Sequence, residues 1–188
     1  IHDGYIYLQI NYLDGGGQIL GSIKNELLGK GVTSTTAITT DAIIHIGDFG
    51  YDLQSNNGLN GDTFLQRIES IATSIPYMTC PGNHEIQTNG ETNAAYFAHY
   101  RNRFTMPLSM NNNGLNMWYS FNFGLVHFIA FSSEVFFAAS NNVQERMLTW
   151  LKKDLEQANL NRKDVPWIVT FAVCLYWYIY LSIYVNIY

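Results

Sequence analysis

The sequence is poor in charged residues, and basic residues are the scarcer kind. Of its 188 residues 13% are charged, and 10 lysines and arginines stand against 15 aspartates and glutamates, which gives a net charge of -5. A protein that binds nucleic acid mainly through phosphate contacts needs a basic surface, so the composition argues against that class of protein. Because 47% of the residues are hydrophobic, we expect a globular domain with a sizeable core rather than disorder.

A recognisable leader is also lacking, and there are only two cysteines. At the start of the chain, which begins with Ile1, no basic segment is followed by an apolar run and a small-residue cleavage site. We therefore expect the chain to be a fragment. Cys80 and Cys174 do not decide the redox compartment, but Cys80 closes a predicted core strand, where a small buried thiol is expected.

Two short polar motifs each follow an apolar run. Residues 47–51, Gly-Asp-Phe-Gly-Tyr, come after the run 42–46, and residues 81–85, Pro-Gly-Asn-His-Glu, come after the run 77–80. Either motif alone could be an ordinary turn, because Asp and Asn bond their own backbone and Gly tolerates positive φ. Both runs are typical of buried strands, however, and ligands of open α/β sheets bind at the carboxyl ends of strands. Asp, Tyr, Asn and His at that edge would suit iron, zinc or manganese.

The elements around the motifs alternate between strands and helices. The order strand, Asp motif, helix, strand, Asn-His motif is a βαβ unit, whose crossover brings the two motifs side by side. Asp62 is expected to cap the helix of this unit, and Pro76 to end it. The other predicted elements are a strand at 5–13, helices at 18–30, 94–100 and 143–158, a hairpin at 117–131 and a strand from Pro166.

Several side chains outside the motifs have predicted positions. Neither His99 nor His127 is expected to be a ligand. His99, on a short aromatic helix, is expected to be packed or to face solvent, and His127, among core residues, is expected to be a hydrogen-bonded structural imidazole. The helix at 143–158 is expected to divide its side chains between an inward face, Met147, Leu148, Leu151 and Leu155, and an outward face, Lys152, Lys153, Asp154 and Glu156.

A third Asp follows a predicted strand near the start of the chain. Asp14 is followed by three glycines, which allow the backbone to turn sharply and approach a ligand. A glycine run would also make an ordinary loop. Asp14 is therefore either a metal ligand or a loop residue.

The two motifs together resemble those of the metallophosphoesterases, and specifically of the purple acid phosphatases. Gly-Asp and Gly-Asn-His are shared by many of these enzymes, and the Tyr three residues after the Asp is the mark of the purple acid phosphatases. The resemblance extends over residues 12–172 and includes the hairpin and the strand from Pro166. It implies an α/β fold, a partial four-layer α/β/β/α sandwich, with residues 1–172 forming an incomplete catalytic domain.

The resemblance also implies a site and a reaction. Asp14 would bind a first metal, Asp48 would bridge two metals, Tyr51 would bind the first as a phenolate, and Asn83 would bind the second. His84 would face the substrate. The metals would be Fe(III) and a divalent iron, zinc or manganese, and the substrates would be small phosphate monoesters. Family members are mostly secreted, lysosomal or vacuolar, although this chain carries no signal of its own for such a location.

The sequence departs from the family pattern beyond residue 172. Val173 stands where the resemblance expects a metal-binding His, and no later Gly-His-x-His follows. Residues 167–188 contain no charged residue and reach the length of about 20 residues that a membrane span needs. Tyrosines spread along a span would be unusual, since aromatic hydroxyls prefer the membrane interfaces. We expect residues 173–188 to be an aberrant, out-of-frame or degenerate tail, with a membrane anchor as the alternative.

Two functions of different classes follow from these observations. The first is a phosphomonoesterase of the purple acid phosphatase type. The second is a non-catalytic fragment, either free or tethered to a membrane through its tail. Such a fragment lacks three family histidines and holds no stable metal pair. A phosphoesterase acting on nucleotides, diesters or proteins is disfavoured by Tyr51.

Overall fold

The computed structural model describes residues 5–9, 16–27, 40–86, 97–107 and 116–173. Its elements in chain order are β1 Tyr5–Gln9, α1 Gly16–Leu27, β2 Thr40–Ile46, α2 Leu59–Ala72, β3 Tyr77–Cys80, α3 Ala98–Arg103, β4 Trp118–Phe123, β5 Val126–Phe131, α4 Val135–Ala138, α5 Asn141–Leu160 and β6 Trp167–Phe171. A single 3-10 turn, Asn83–Glu85, follows β3. Asp14, Cys174 and the predicted tail beyond Val173 lie outside the described residues. Within the described ranges, no helix combines the length and the apolar character needed to cross a membrane.

The first sheet is parallel, with the strand order β1-β2-β3. Its central strand β2 is buried from Ala42 to His45, which explains the apolar run in the sequence. β2 and β3 pair from Ile43 opposite Tyr77 to Ile46 opposite Cys80, so both strands end at the same edge. The βαβ prediction is confirmed, with α2 as the connection, and the two polar motifs leave the sheet next to each other.

The second sheet has the order β4-β5-β6 and is mixed. β4 and β5 form the predicted antiparallel hairpin, and β6 runs parallel to β5. The hairpin turns at Gly124, whose φ of 58° is a backbone conformation that residues other than Gly rarely adopt. Branched and aromatic residues make up most of the hairpin, which is the composition that predicted it.

Aromatic side chains join the first sheet to α3 and to the second sheet. The ring of Phe49 lies 4.8 Å from that of Phe104 and 5.8 Å from that of Tyr100, measured between centroids. The hydroxyls of Tyr119 and Tyr100 donate to the carbonyl oxygen of Thr79 over 2.8 and 3.2 Å. Because Thr79 belongs to β3 and Tyr119 to β4, the Tyr119 bond fixes the second sheet against the strand that leads to the Asn-His motif. The Tyr100 bond fixes α3 against the same strand.

The side chains of helix α5 are divided differently from the prediction, which was wrong for two of them. Leu148 was expected inward and is 48% exposed, whereas Trp150 is buried. Asp154 was expected outward, but it accepts hydrogen bonds from the hydroxyl of Ser120 over 2.6 Å and from Nε2 of His127 over 2.9 Å. The hairpin presents polar groups to this part of the helix, so a carboxylate faces inward there.

The prediction that Asp62 caps helix α2 was wrong. The residue before the helix is Gly58, with φ of 87° and no side-chain cap. Asp62 lies in the first turn instead, where its carboxylate accepts from Nη2 of Arg103 over 2.8 Å. The guanidinium also donates to the carbonyl oxygen of Gly58 over 3.0 Å, so Arg103 fixes the start of the helix from outside it.

Candidate metal and catalytic site

The Asp motif forms a tightly curved loop directly after β2. Gly47, Asp48, Gly50 and Tyr51 have positive φ angles of 57°, 58°, 63° and 34°. Such angles are uncommon for Asp and Tyr and persist where the surroundings hold them. The loop thereby brings Asp48 and Tyr51, both half-buried, to the carboxyl edge of the first sheet.

The Asn-His motif lies against this loop. A Cβ atom added to Gly47 would fall 2.5 Å from the backbone nitrogen of Gly82, and one added to Gly82 would fall 2.5 Å from Oδ1 of Asp48. Neither position can hold a side chain, because real Cβ atoms do not approach other atoms so closely. The two loops are therefore in backbone contact, and Asn83 and His84, both half-buried, follow at once.

Glu85 connects the loops and was given no role by the sequence interpretation. Its carboxylate accepts backbone N–H groups from Asp48, Phe49 and Gly82 over 2.7 to 2.8 Å. Burial raises the pKa of Glu85 to about 7, against the opposing effect of these three hydrogen bonds. The signal in the sequence was the acidic residue three positions after Gly82, where a side chain can reach back to the start of a helical turn.

His84 is held by a second carboxylate that the sequence interpretation missed. Its Nδ1 is hydrogen-bonded to Oδ1 of Asp52, and its backbone N–H donates to Oδ1 of Asp48 over 3.2 Å. The ring of Tyr51 lies 4.4 Å from the His84 ring between centroids, at 59°. Asp52 follows Tyr51 directly in the sequence, and that adjacency to the motif was its only signal.

These contacts bring together four of the five predicted site residues, Asp48, Tyr51, Asn83 and His84. Among the residues that the structure describes, no group of three or more His, Cys, Asp and Glu could hold a metal ion. The nearby donors are instead a carboxylate, an amide and a phenol, whose oxygen atoms suit iron, zinc or manganese. They fit part of a coordination sphere, to which Asp14, outside the described residues, would add.

Val173 lies at the same edge of the molecule. Its Cγ2 atom is 2.7 Å from the position that a Cβ on Gly47 would take. Val173, which stands where the resemblance expects a metal-binding His, is therefore adjacent to the Asp48 loop and is apolar. Cys80, at the end of β3, is a buried free thiol as predicted, and burial raises its pKa far above the usual range.

The remaining described histidines have structural partners. Nδ1 of His99 accepts from Nη1 of Arg103 over 2.7 Å. His127 bonds Asn122 through Nδ1 over 2.6 Å, in addition to its bond with Asp154. The hydrogen bonds of His127 agree with the structural role predicted for it.

Comparison with known proteins identifies the family. A family model described as Calcineurin-like phosphoesterase matches residues 19–182, which include both polar motifs. The chain belongs to the calcineurin-like phosphoesterase family.

Relatives within that family are acid phosphatases by name. Human acid phosphatase type 7 is 46% identical over 134 residues, which are 70% of this chain and 28% of that protein. The zebrafish (Danio rerio) acid phosphatase type 7 is 42% identical over 158 residues, 81% of this chain and 33% of that protein. Purple acid phosphatase 15 of Arabidopsis thaliana is 30% identical over 168 residues, 74% of this chain and 30% of that protein. The chain thus spans about a third of the length of these relatives.

A solved structure supports the same family. A purple acid phosphatase isolated from yellow lupin (Lupinus luteus) seeds matches with a TM-score of 0.61 and 25% sequence identity. The match covers 86% of this chain and 26% of that one. The predicted α/β fold of the metallophosphoesterase type and the predicted likeness to purple acid phosphatases are confirmed.

Proposed function

We propose that this chain carries part of the active site of a metal-dependent phosphomonoesterase of the purple acid phosphatase type. The observation that supports this most strongly is the meeting of two loops, in which the Asp48 carboxylate accepts the backbone N–H of His84 and packs on Gly82. Membership in the calcineurin-like phosphoesterase family supports the same reaction class. We also propose that the protein is secreted or resides in a lysosome or vacuole.

The proposed metal ligands are oxygen donors. Asp48 would bridge Fe(III) and a divalent iron, zinc or manganese, Tyr51 would bind the ferric ion, and Asn83 would bind the divalent ion through its amide oxygen. Asp14 would contribute to the ferric site. When bound, such a pair stabilises both the attacking and the leaving oxygen of an in-line displacement.

The protein side chains would then bind the substrate and handle its proton. With Nδ1 of His84 held by Asp52, Nε2 is the ring nitrogen left to face the substrate. The carboxylate fixes the orientation of the ring. Protonated His84 would bind the phosphoryl oxygens or give a proton to the leaving alcohol. The Tyr51 ring restricts rotation of the imidazole from one side.

The roles of Asn83 and His84 can be separated experimentally. Asn83→Ala should lose metal and activity together, because it removes a proposed ligand. His84→Ala should keep its metal and lose about 10²- to 10⁴-fold in kcat, the usual contribution of a general acid or base. Elemental analysis and hydrolysis of p-nitrophenyl phosphate measure the two effects. His99→Ala is the matched control, since His99 bonds Arg103 away from the loops. Equal metal loss in the Asn83 and His84 variants would refute the assignment.

A non-catalytic role is the second proposal, and Val173 favours it. An isopropyl side chain cannot ligate a metal, and it lies beside Gly47 at the site. Under this proposal the chain keeps the arrangement of the two loops but binds no stable metal pair. Elemental analysis of the unsubstituted protein distinguishes the two proposals before any variant is made.

A further inference from the structure

The carboxylate of Glu85 holds the backbone of both loops at once. Its Oε2 accepts the N–H groups of Asp48 and Gly82, each over 2.8 Å, and its Oε1 accepts the N–H group of Phe49 over 2.7 Å. The residue is 2% exposed, so these bonds form away from water. A single side chain therefore links the loop of Asp48 to the loop that carries Asn83.

The two loops are packed too closely at Gly47 and Gly82 to accept a side chain at either position. Gly47 and Gly82 are so close that a methyl group on either would collide with the opposite loop. Asp48 itself donates one of the N–H groups that Glu85 accepts, and Asn83 directly follows another donor, Gly82. The positions of the Asp48 carboxylate and of the Asn83 amide therefore depend on the same three hydrogen bonds.

We propose that Glu85 is a positioning residue that sets the metal affinity of the site without binding a metal itself. The inference rests on the proposed function, because it assigns Glu85 a role at that metal site. Outer partners that hold metal ligands in place typically change metal affinity by about 10- to 100-fold when they are removed. Glu85 would act in this way on Asp48 and Asn83 together, through the backbone.

Glu85→Gln tests this role with the least change of shape. The glutamine amide has one oxygen, which can accept hydrogen bonds, and one NH₂ group, which can only donate them. Whichever way the amide is turned, its NH₂ group faces at least one backbone N–H and leaves that donor without an acceptor. The matched control is Glu69→Gln, which makes the same chemical change at an exposed position of α2.

Two measurements on the full chain give independent readouts. The first is amide hydrogen exchange of Asp48, Phe49 and Gly82 in the metal-free protein, which we expect to be slow and to become about tenfold faster or more in Glu85→Gln. The second is a calorimetric titration with Zn²⁺ alone, in which Glu85→Gln should weaken binding about 10- to 100-fold. Glu69→Gln should behave as the unsubstituted protein in both.

Each failure has a distinct meaning. If these three amides exchange in the unsubstituted protein as fast as unprotected loop amides, the linking role of Glu85 is overturned, and this result does not require the variant to fold. If exchange accelerates in Glu85→Gln but Zn²⁺ affinity does not change, the positioning role is overturned while the proposed function stands. If the unsubstituted protein binds no Zn²⁺ although the amides are protected, the proposed function fails, and the role of Glu85 in metal affinity fails with it.

Discussion

Asp52 and Glu85 each hold a neighbouring group of the site in place through hydrogen bonds. Asp52 bonds the imidazole of His84, and Glu85 bonds three backbone N–H groups. Neither was assigned a role from the sequence, because the partner of each carboxylate is distant along the chain or lies in the backbone. The motif residues Asp48, Asn83 and His84 were recognisable because their order and spacing are themselves the signal.

Asp52→Asn should lower kcat without removing metal. The amide oxygen can still accept from Nδ1 of His84, but the NH₂ group can turn toward the ring instead, so the orientation of the imidazole is held less firmly. We expect a loss no larger than the 10²- to 10⁴-fold or so proposed for His84→Ala, measured with p-nitrophenyl phosphate. Because Asp52 acts through His84, adding Asp52→Asn to His84→Ala should have no further effect. Losses that add in the double variant would show that Asp52 acts by another route.

At the scale of elements, β2 and β3 could be predicted because each is an apolar run ended by a polar, glycine-containing motif. Their parallel pairing follows from the single helix between them. The inward face of α5 could not be predicted in full. Leu148 is exposed. Asp154 is half-buried because the hairpin offers it a serine hydroxyl and an imidazole, which are contacts between distant parts of the chain.

His45 in β2 bonds Tyr77 in β3, and the burial of His45 makes the stability of the folded protein depend on pH. Nδ1 of His45 lies 2.6 Å from the hydroxyl of Tyr77, and burial lowers the pKa of His45 to about 3. The folded protein therefore keeps His45 neutral, whereas the unfolded chain takes up a proton below pH of about 6.5. This contribution to stability is complete above that pH and declines as the pH falls toward 3.

His45→Gln should reduce this acid sensitivity. Between pH 7 and 5 the folded protein should lose about 2 kcal/mol of unfolding free energy through His45, and the glutamine variant should lack that part of the loss. Urea unfolding at the two pH values measures it. The variant serves as its own control at pH 7, where its stability relative to the unsubstituted protein reports the packing change alone. Parallel pH dependence in the two proteins would contradict the assigned cause.

At the scale of the whole molecule, the site lies where two sheets meet. The hydroxyl of Ser132, directly after β5, donates to the carbonyl oxygen of Pro81 over 3.1 Å, and Val173, beyond β6, packs beside Gly47. The ends of β5 and β6 thus lie at the same place as the ends of β2 and β3. The sequence predicted the βαβ unit, the hairpin and the strand from Pro166, but how the hairpin and that strand pair and meet the polar motifs depends on packing between distant segments. The family resemblance anticipated only that the residue at position 173 belongs at the site.

Anomalous diffraction from crystals of the full chain soaked in Zn²⁺ would test the central claim, that the two loops form a metal site. The account predicts a peak at the zinc absorption edge in contact with a carboxylate oxygen of Asp48 and the amide oxygen of Asn83, at distances of about 2.0 to 2.2 Å. Crystals in which Glu85 keeps its three backbone hydrogen bonds, but in which no peak lies against Asp48 or Asn83, would contradict it.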